Sequence, residues 1–224
     1  MRLEGMIFDL DGTLTDTFAV CFIAFRETIR AVTDCCPTDD EIFAHFGPSE
    51  EGMFQRWVPD RWEHCLRLYL SLYEREHRRI GRIFPGVETA LETLKALGIP
   101  MAVVTGKGPR STAISLAQLG LTPYFDSIQT GSPEGNIKPQ GIRRVLTRWG
   151  AAPERVAYLG DVASDIEAAR AVGVMPLAAA WEARSGTAAL RALRPLAIFT
   201  TVAQFLEWIN TVVDPRKGGT SIKL

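Results

Sequence analysis

Short apolar runs alternate with amphipathic stretches along most of the chain. Short segments with apolar residues predict strands, and they cover 6–10, 100–104, 125–129, 155–159, 175–179 and 197–200. Between them, apolar residues spaced three or four apart predict helices over 87–97, 109–120, 142–149 and 164–172. Repeated strand–helix units predict an α/β fold, a doubly wound and mostly parallel, Rossmann-like sheet with helices on both faces.

The segment after the first strand has a different, all-helical pattern. It predicts helices over 17–32, from Thr38 to about Gly47, from about Ser49, and over 59–79. An insertion at this point would lie over the carboxyl ends of the strands, which makes it a candidate lid. We therefore expect a core domain of residues 1–15 and 84–213, a helical cap domain of residues 16–83 and a C-terminal tail of residues 214–224.

Two helix starts carry the spacing of a capping box, in which a hydroxyl and a glutamate three residues later satisfy each other's backbone amides. One pair is Thr38 and Glu41, and the other is Ser164 and Glu167. The spacing predicts that helices begin just after Thr38 and just after Ser164.

Composition and charge narrow the class of partner. The 224 residues are 46% hydrophobic, and 25 basic side chains nearly balance 26 acidic ones. A balanced chain has no bulk attraction to nucleic acid or to a membrane, so an anion must be held by a local site. Glu4 and Asp9 come before any apolar run that could act as a signal peptide. The four cysteines include no C-x-x-C pair, which is typical of a protein with reduced thiols. We expect a reduced cytoplasmic protein, monomeric or homodimeric, with a small-molecule partner.

Polar residues follow three of the predicted strands. Asp9 stands at the end of the first and Asp11 just after it, Thr105 follows the second and Asp161 the fourth, with Asp165 in the first turn of the next helix. Ligands of such sheets bind beyond the carboxyl ends of the strands, so these side chains should meet in one crevice. Clustered carboxylates need a cation to offset their repulsion, and hard oxygen ligands favour Mg²⁺.

Two loops are candidates for holding an anion. Thr105, Gly106, Lys107 and Gly108 join a strand to a helix, where backbone amides and the helix N-terminus would cradle a phosphate. Lys138 precedes another helix. The chain has five lysines against twenty arginines, yet two of the five stand in these loops. A compact ammonium suits a single phosphoryl oxygen.

In chain order, the segments FDLDGTLTD, VVTGK, IKP and YLGDVASD resemble the four motifs of the haloacid dehalogenase-like (HAD) phosphohydrolases. The resemblance covers nearly all of residues 5–180. The helical insertion is similar to the small cap of the phosphoglycolate phosphatase-like branch. That branch also includes inorganic pyrophosphatases, β-phosphoglucomutases, phosphonatases and dehalogenases.

The resemblance implies a role for each motif residue. Asp9 would be the nucleophile, and Asp11 would protonate the leaving oxygen and then activate water. Thr105, Gly106 and Lys138 would hold the phosphoryl group. The metal site would consist of Asp9, the backbone carbonyl of Asp11 and Asp161, with Asp165 supporting it.

The same resemblance implies a Mg²⁺-dependent phosphatase acting on a small phosphomonoester through an aspartyl-phosphate, in the manner of phosphoglycolate phosphatase. A pyrophosphatase, a sugar phosphomutase and a non-catalytic binding protein remain alternatives. Phosphonatases use a cap lysine, and residues 15–83 contain none. Dehalogenases usually lack the second aspartate of the first motif, which is present here as Asp11. For substrate choice, the candidate residues are Lys107, Glu51, Arg56 and Arg61.

Overall fold

The computed structural model describes residues 3–213. Its strands are β1 (Gly5–Phe8), β2 (Thr15–Asp16), β3 (Arg82–Ile83), β4 (Met101–Val104), β5 (Ser127–Gln129), β6 (Val156–Gly160), β7 (Met175–Ala179) and β8 (Ala197–Phe199). Its α-helices are α1 (Phe18–Thr33), α2 (Asp39–Ala44), α3 (Glu50–Trp57), α4 (Trp62–Ile80), α5 (Val87–Ala96), α6 (Pro109–Gln118), α7 (Lys138–Trp149), α8 (Ala163–Val172), α9 (Thr187–Ala192) and α10 (Val202–Val213). The tail expected over 214–224 lies outside the described residues.

The central sheet confirms the predicted α/β fold. Its six strands are parallel and lie in the order β5-β4-β1-β6-β7-β8. Both faces are covered, as the apolar central strands β1, β4 and β6 predict. In β1, Met6 and Phe8 pack into one hydrophobic cluster with α5 and α10, whereas Ile7 packs into another with α7 and α8. This alternation fixes the sheet between two helical layers.

Helices α1 to α4 form a separate hydrophobic cluster of their own, built largely from aromatic side chains. They leave and rejoin the rest of the chain through the short antiparallel pair of β2 and β3, in which Thr15 pairs with Ile83 and Asp16 with Arg82. This pair lies where we expect the cap to begin and end. The division into core and cap at residues 15–16 and 83–84 stays a prediction.

Three helix starts differ from the prediction. The long cap helix begins at Trp62, after a 3₁₀ turn over Pro59–Arg61. Helix α7 begins four residues early, at Lys138, because Pro139 is compatible with a first helical turn. The box predicted for Ser164 and Glu167 is wrong: the Asp165 carboxylate accepts a hydrogen bond from the Val162 amide at 3.2 Å.

The prediction also missed several elements. Helix α9 and the β2–β3 pair are too short to give a periodic signal, whereas α10 had one in its apolar residues Val202, Phe205 and Ile209. Among residues 3–213, none of the helices combines the length and apolar character that crossing a membrane requires.

Candidate active site

Three neighbouring strands bring the predicted residues together. Strand β1 lies between β4 and β6, and the residues that directly follow these strands are Asp9, Thr105 and Asp161. Lys138, the first residue of α7, joins them. All four side chains are buried and line one cavity. The structure therefore assembles the crevice that the strand ends predict.

The acidic side chains of this crevice crowd one another. One carboxylate oxygen from each of Asp9, Asp161 and Asp165 lies within 4.8 Å of the others. Burial raises the pKa of Asp9 to about 7, with repulsion from Asp165 and Asp11 adding to the rise and the Lys138 ammonium opposing it. Burial and the Asp9 and Asp165 charges likewise raise the pKa of Asp161 well above its ordinary value. Such a cluster is a candidate site for a cation.

Lys138 partly offsets this negative charge. Its Nζ lies 3.3 Å from Asp9 Oδ1 and 2.5 Å from Asp165 Oδ1. Asp165 also accepts hydrogen bonds from the Tyr158 hydroxyl, at 3.0 Å, and from the Val162 amide. Both oxygens of Asp165 thus have partners within the protein, and its carboxylate holds the lysine in place.

In Asp161, by contrast, only one of the two carboxylate oxygens has a hydrogen-bond partner among the described residues. Its Oδ1 accepts a hydrogen bond from Thr13 Oγ1 at 3.0 Å, but its buried Oδ2 has no hydrogen-bond partner among the described residues. Gly12 leaves room for that oxygen: with φ of +80°, a Cβ there would lie 2.3 Å from Asp161 Oδ2. An unpartnered, buried carboxylate oxygen beside Asp9 fits a hard divalent cation such as Mg²⁺.

Asp11 also lines the cavity, and its carboxylate contacts one threonine and one lysine. Thr17 Oγ1 donates to Asp11 Oδ1 at 2.5 Å and lies 2.8 Å from Thr15 Oγ1. The other oxygen, Oδ2, lies 3.3 Å from Lys107 Nζ. The two threonines were not among the predicted site residues, although both follow the aspartates in the same loop.

Lys107 links the sheet to the helical insertion. Its ammonium is buried 3.6 Å from Glu50 Oε1, 3.5 Å from Cys21 Sγ and 4.2 Å from the centroid of the Tyr73 ring. These three residues belong to α3, α1 and α4. Lys107 therefore lies at the junction of the sheet and the helical insertion, with the carboxylates of Asp11 and Glu50 as its counter-charges.

The predicted phosphate cradle is occupied in part by the protein's own carboxylate. The Gly108 amide donates to Glu50 Oε2 at 2.6 Å, and Ser111 Oγ donates to Glu50 Oε1 at 2.5 Å. Glu50 thus fills the N-terminus of α6, where an anion is favoured. Of the phosphate cradle expected over residues 105–108, the part left for a ligand is Thr105 and Gly106, which line the cavity with Lys138.

Three residues predicted to set specificity lie outside the cavity lining. Arg56 is exposed and donates to the Glu134 carbonyl at 3.3 Å, and Arg61 is exposed and donates to the Val32 carbonyl at 3.2 Å. Glu51 does not line the cavity, whereas its neighbour Glu50 does. Adjacent residues point about 100° apart around a helix, so a shift of one position changes which glutamate faces inward.

The cavity itself lies between the acid cluster and helices α1 to α4. Its volume is about 360 Å³, within the size range of small-molecule sites. The side facing the sheet carries the aspartates and lysines described above. The opposite side is contributed by Phe18, Phe25, Phe43, Phe46, Met53 and Tyr69.

Comparisons with known proteins agree with the motif analysis. The family model described as haloacid dehalogenase-like hydrolase matches residues 6–179. A pyrophosphatase PpaX from Bacillus pumilus is 29% identical over 198 residues, covering 86% of this chain and 90% of the relative. A phosphoglycolate phosphatase from Chromobacterium violaceum is 29% identical over 189 residues, covering 79% and 85%.

Solved structures share the fold over almost the whole chain. A haloacid dehalogenase-like family hydrolase from Streptococcus pneumoniae superposes with a TM-score of 0.77 and 27% identity, covering 92% of this chain and 98% of that one. A protein described as a predicted phosphoglycolate phosphatase from Haemophilus somnus gives a TM-score of 0.81 at 23% identity, covering 93% and 98%. With four ordered motifs, a matching family model and this shared fold, the chain belongs to the haloacid dehalogenase-like hydrolases, in the phosphoglycolate phosphatase-like branch.

Proposed function

We propose that the protein is a Mg²⁺-dependent phosphatase that hydrolyses a small phosphomonoester through an aspartyl-phosphate on Asp9. The observation that carries the proposal is the buried group of Asp9, Asp161 and Lys138 beside Thr105, with one Asp161 oxygen left without a partner among the described residues. Opposed charges of this kind suit a phosphoryl group and its cation.

Hydrolysis would take place in two displacements. A carboxylate oxygen of Asp9 attacks phosphorus, the bond from phosphorus to the ester oxygen breaks, and Asp11 gives its proton to the departing alcohol. Water then attacks the aspartyl-phosphate, Asp11 takes a proton from that water, and the bond between Asp9 and phosphorus breaks to release inorganic phosphate. Splitting the reaction in this way replaces one difficult step with two easier ones.

The remaining residues orient the phosphoryl group and balance its charge. Lys138, held by Asp165, would place its ammonium on a phosphoryl oxygen, and the Thr105 hydroxyl with the Gly106 amide would bind the others. Asp9, the Asp11 carbonyl and Asp161 would hold the cation, which supplies further neutralisation of the transferring phosphoryl charge. Thr17 would keep the Asp11 carboxyl aimed at the ester oxygen.

Inorganic pyrophosphate is the second candidate substrate, because the Bacillus pumilus relative is named a pyrophosphatase. The same displacement would then release two phosphates. A phosphomutase of the same branch would need to hold a bisphosphate while it reorients, and the cavity would have to carry a second anion site. These alternatives are separated by which substrates release phosphate.

The direct test measures phosphate release from p-nitrophenyl phosphate with Mg²⁺ and with EDTA. We expect phosphate release with Mg²⁺ and none with EDTA. We expect Asp9→Asn, checked by mass spectrometry for deamidation, to lower the rate of release by about a thousandfold or more. Asp60→Asn, on the exposed surface, is the matched control and should keep the wild-type rate. Absence of release from this ester and from a panel of phosphorylated metabolites would contradict the proposal, and so would full activity of Asp9→Asn.

A further inference from the structure

The side of the cavity that would receive the leaving group is apolar. Each of the four helices of the insertion contributes to it: α1 through Phe18 and Phe25, α2 through Phe43, α3 through Met53 and α4 through Tyr69. Phe46 follows α2 and completes the wall. A substrate held by its phosphoryl group at Lys138 would place the rest of its structure against these side chains.

The aromatic rings form a continuous surface. The Phe18 ring centroid lies 5.9 Å from that of Phe43 and 6.3 Å from that of Phe46, while the Phe25 and Tyr69 centroids are 4.4 Å apart. Surfaces of this kind bind apolar and planar groups through burial and ring packing. The buried Tyr69 hydroxyl has no hydrogen-bond partner among the described residues, so the wall offers one neutral polar group.

No free positive charge faces this wall in residues 3–213. The basic side chains that line the cavity are Lys107 and Lys138, both from the sheet side. Lys138 is paired with Asp9 and Asp165, and Lys107 with Asp11 and Glu50. The charged residue that the insertion itself contributes is Glu50, which is negative. A second anion on the substrate would therefore be buried without a counter-charge, which is costly.

We propose that the substrate is a phosphomonoester of an uncharged, largely apolar alcohol, with an aromatic group or one of similar shape, and that the cavity discriminates against phosphoglycolate and pyrophosphate. This inference rests on the proposed phosphatase function and names its substrate class. It separates this chain from what the names of its relatives indicate, because the second anion of either compound would enter a cavity in which the insertion offers apolar side chains and the acidic Glu50.

The test compares two esters that differ in one charge. Values of kcat/KM are measured with Mg²⁺ for benzyl phosphate and 4-carboxybenzyl phosphate, together with phosphoglycolate and pyrophosphate. We expect benzyl phosphate to exceed each of the other three by about tenfold or more. Equal or higher kcat/KM for the carboxylated ester, phosphoglycolate or pyrophosphate would overturn the inference while leaving the phosphatase proposal intact.

A binding measurement separates this inference from the reaction. Calorimetry with benzylphosphonate and 4-carboxybenzylphosphonate reports affinity whether or not the protein turns over. If no ester is hydrolysed, the proposed function has failed, and tighter binding of benzylphosphonate would still support the apolar site. Equal or tighter binding of the carboxylated compound would overturn it.

A charge placed in the wall provides the converse test. Phe46→Arg should lower the ratio of kcat/KM for benzyl phosphate to that for 4-carboxybenzyl phosphate by about tenfold, because an arginine there would pair with the carboxylate. Gln55→Arg adds the same charge on the exposed surface of α3 and should leave the ratio unchanged. Phe43→Arg is the second variant should Phe46→Arg not fold. An unchanged ratio in a folded Phe46→Arg or Phe43→Arg protein contradicts the inference.

Discussion

At the scale of single residues, Asp9 has two properties that oppose each other. As the proposed nucleophile it would have to carry negative charge to attack phosphorus, yet it is buried beside Asp161 and Asp165. Burial and the neighbouring carboxylates favour its protonated form, whereas Lys138 favours the charged form. A bound cation would shift this balance toward the carboxylate, so we expect metal binding and proton release to be coupled at this position.

The pH dependence of stability tests this coupling. In metal-free protein the pKa of Asp9 rises from 3.8 to about 7, so between those values the folded state holds a proton that the unfolded state releases. The free energy of unfolding should therefore fall as pH rises from about 4 to about 7, by at most about 1.4 kcal/mol per pH unit for one group. Urea denaturation in EDTA measures it.

Asp9→Asn is the control for that experiment. It should flatten part of the slope. Asp161, whose pKa is also raised, contributes to the remainder, and His77, whose pKa is lowered by burial, opposes it. A slope that Asp9→Asn leaves unchanged would show that Asp9 is already ionised in the metal-free protein.

Gly12 gives a second prediction at this scale. Its φ is +80°, and a Cβ at this position would lie 2.3 Å from Asp161 Oδ2, so there is no room for a side chain. Gly12→Ala should destabilise the protein by about 2 kcal/mol or more, measured by urea denaturation, and should weaken stabilisation by Mg²⁺. Gly98→Ala is the matched control, since Gly98 has φ of +70° with nothing within 4 Å of its Cβ position. Equal losses in the two variants would exclude the close contact as the cause.

At the scale of elements, Glu50 joins α3 to the N-terminus of α6. Its carboxylate accepts hydrogen bonds from the Gly108 amide and the Ser111 hydroxyl, and it lies near the Lys107 ammonium. Nearby, the Tyr73 hydroxyl of α4 lies 2.8 Å from Ser115 Oγ of α6. Helix α6 is thus one of the elements through which the rest of the chain holds the insertion over the cavity.

Glu50→Gln tests the strength of this connection. The amide keeps the size of the side chain but loses the charge and one acceptor, so unfolding should become easier by about 1.5–3 kcal/mol. Urea denaturation measures the change. Glu51→Gln, the next residue on α3, should cost less than about 1 kcal/mol. Similar costs for both variants would mean that the contact with α6 contributes little.

The elements also show where sequence reasoning succeeds. Strands β1, β4 and β6 are apolar throughout and end at polar residues, so both their existence and the meeting of Asp9, Thr105 and Asp161 could be predicted. The predicted start of α3 near Ser49 agrees with the structure, but which of its glutamates faces α6 could not be predicted, because tertiary packing sets the rotation of the helix about its axis. The same limit applies to Arg56 and Arg61, whose direction depends on how the insertion packs.

At the scale of the whole molecule, the sheet and the four-helix insertion contribute different kinds of side chain to the cavity. The sheet provides the charged residues that would carry out the chemistry, through loops at its carboxyl edge. The four-helix insertion provides the wall that contacts the rest of the substrate. The motifs predict the contribution of the sheet because its charged residues have fixed places just after a strand or, for Lys138, at the start of a helix. The apolar character of the insertion's contribution depends on tertiary packing, and it emerges once the helices are placed.

The central claim is that Asp9 receives the phosphoryl group, and trapping that group tests it most directly. Protein with Mg²⁺ is mixed with a phosphomonoester it hydrolyses, quenched in acid within one turnover, digested and mapped by mass spectrometry. We predict a phosphoryl group on Asp9 in the wild-type protein, lost on longer incubation and absent from Asp9→Asn. A label on another residue, or turnover in which no residue is labelled at any quench time, would contradict the account.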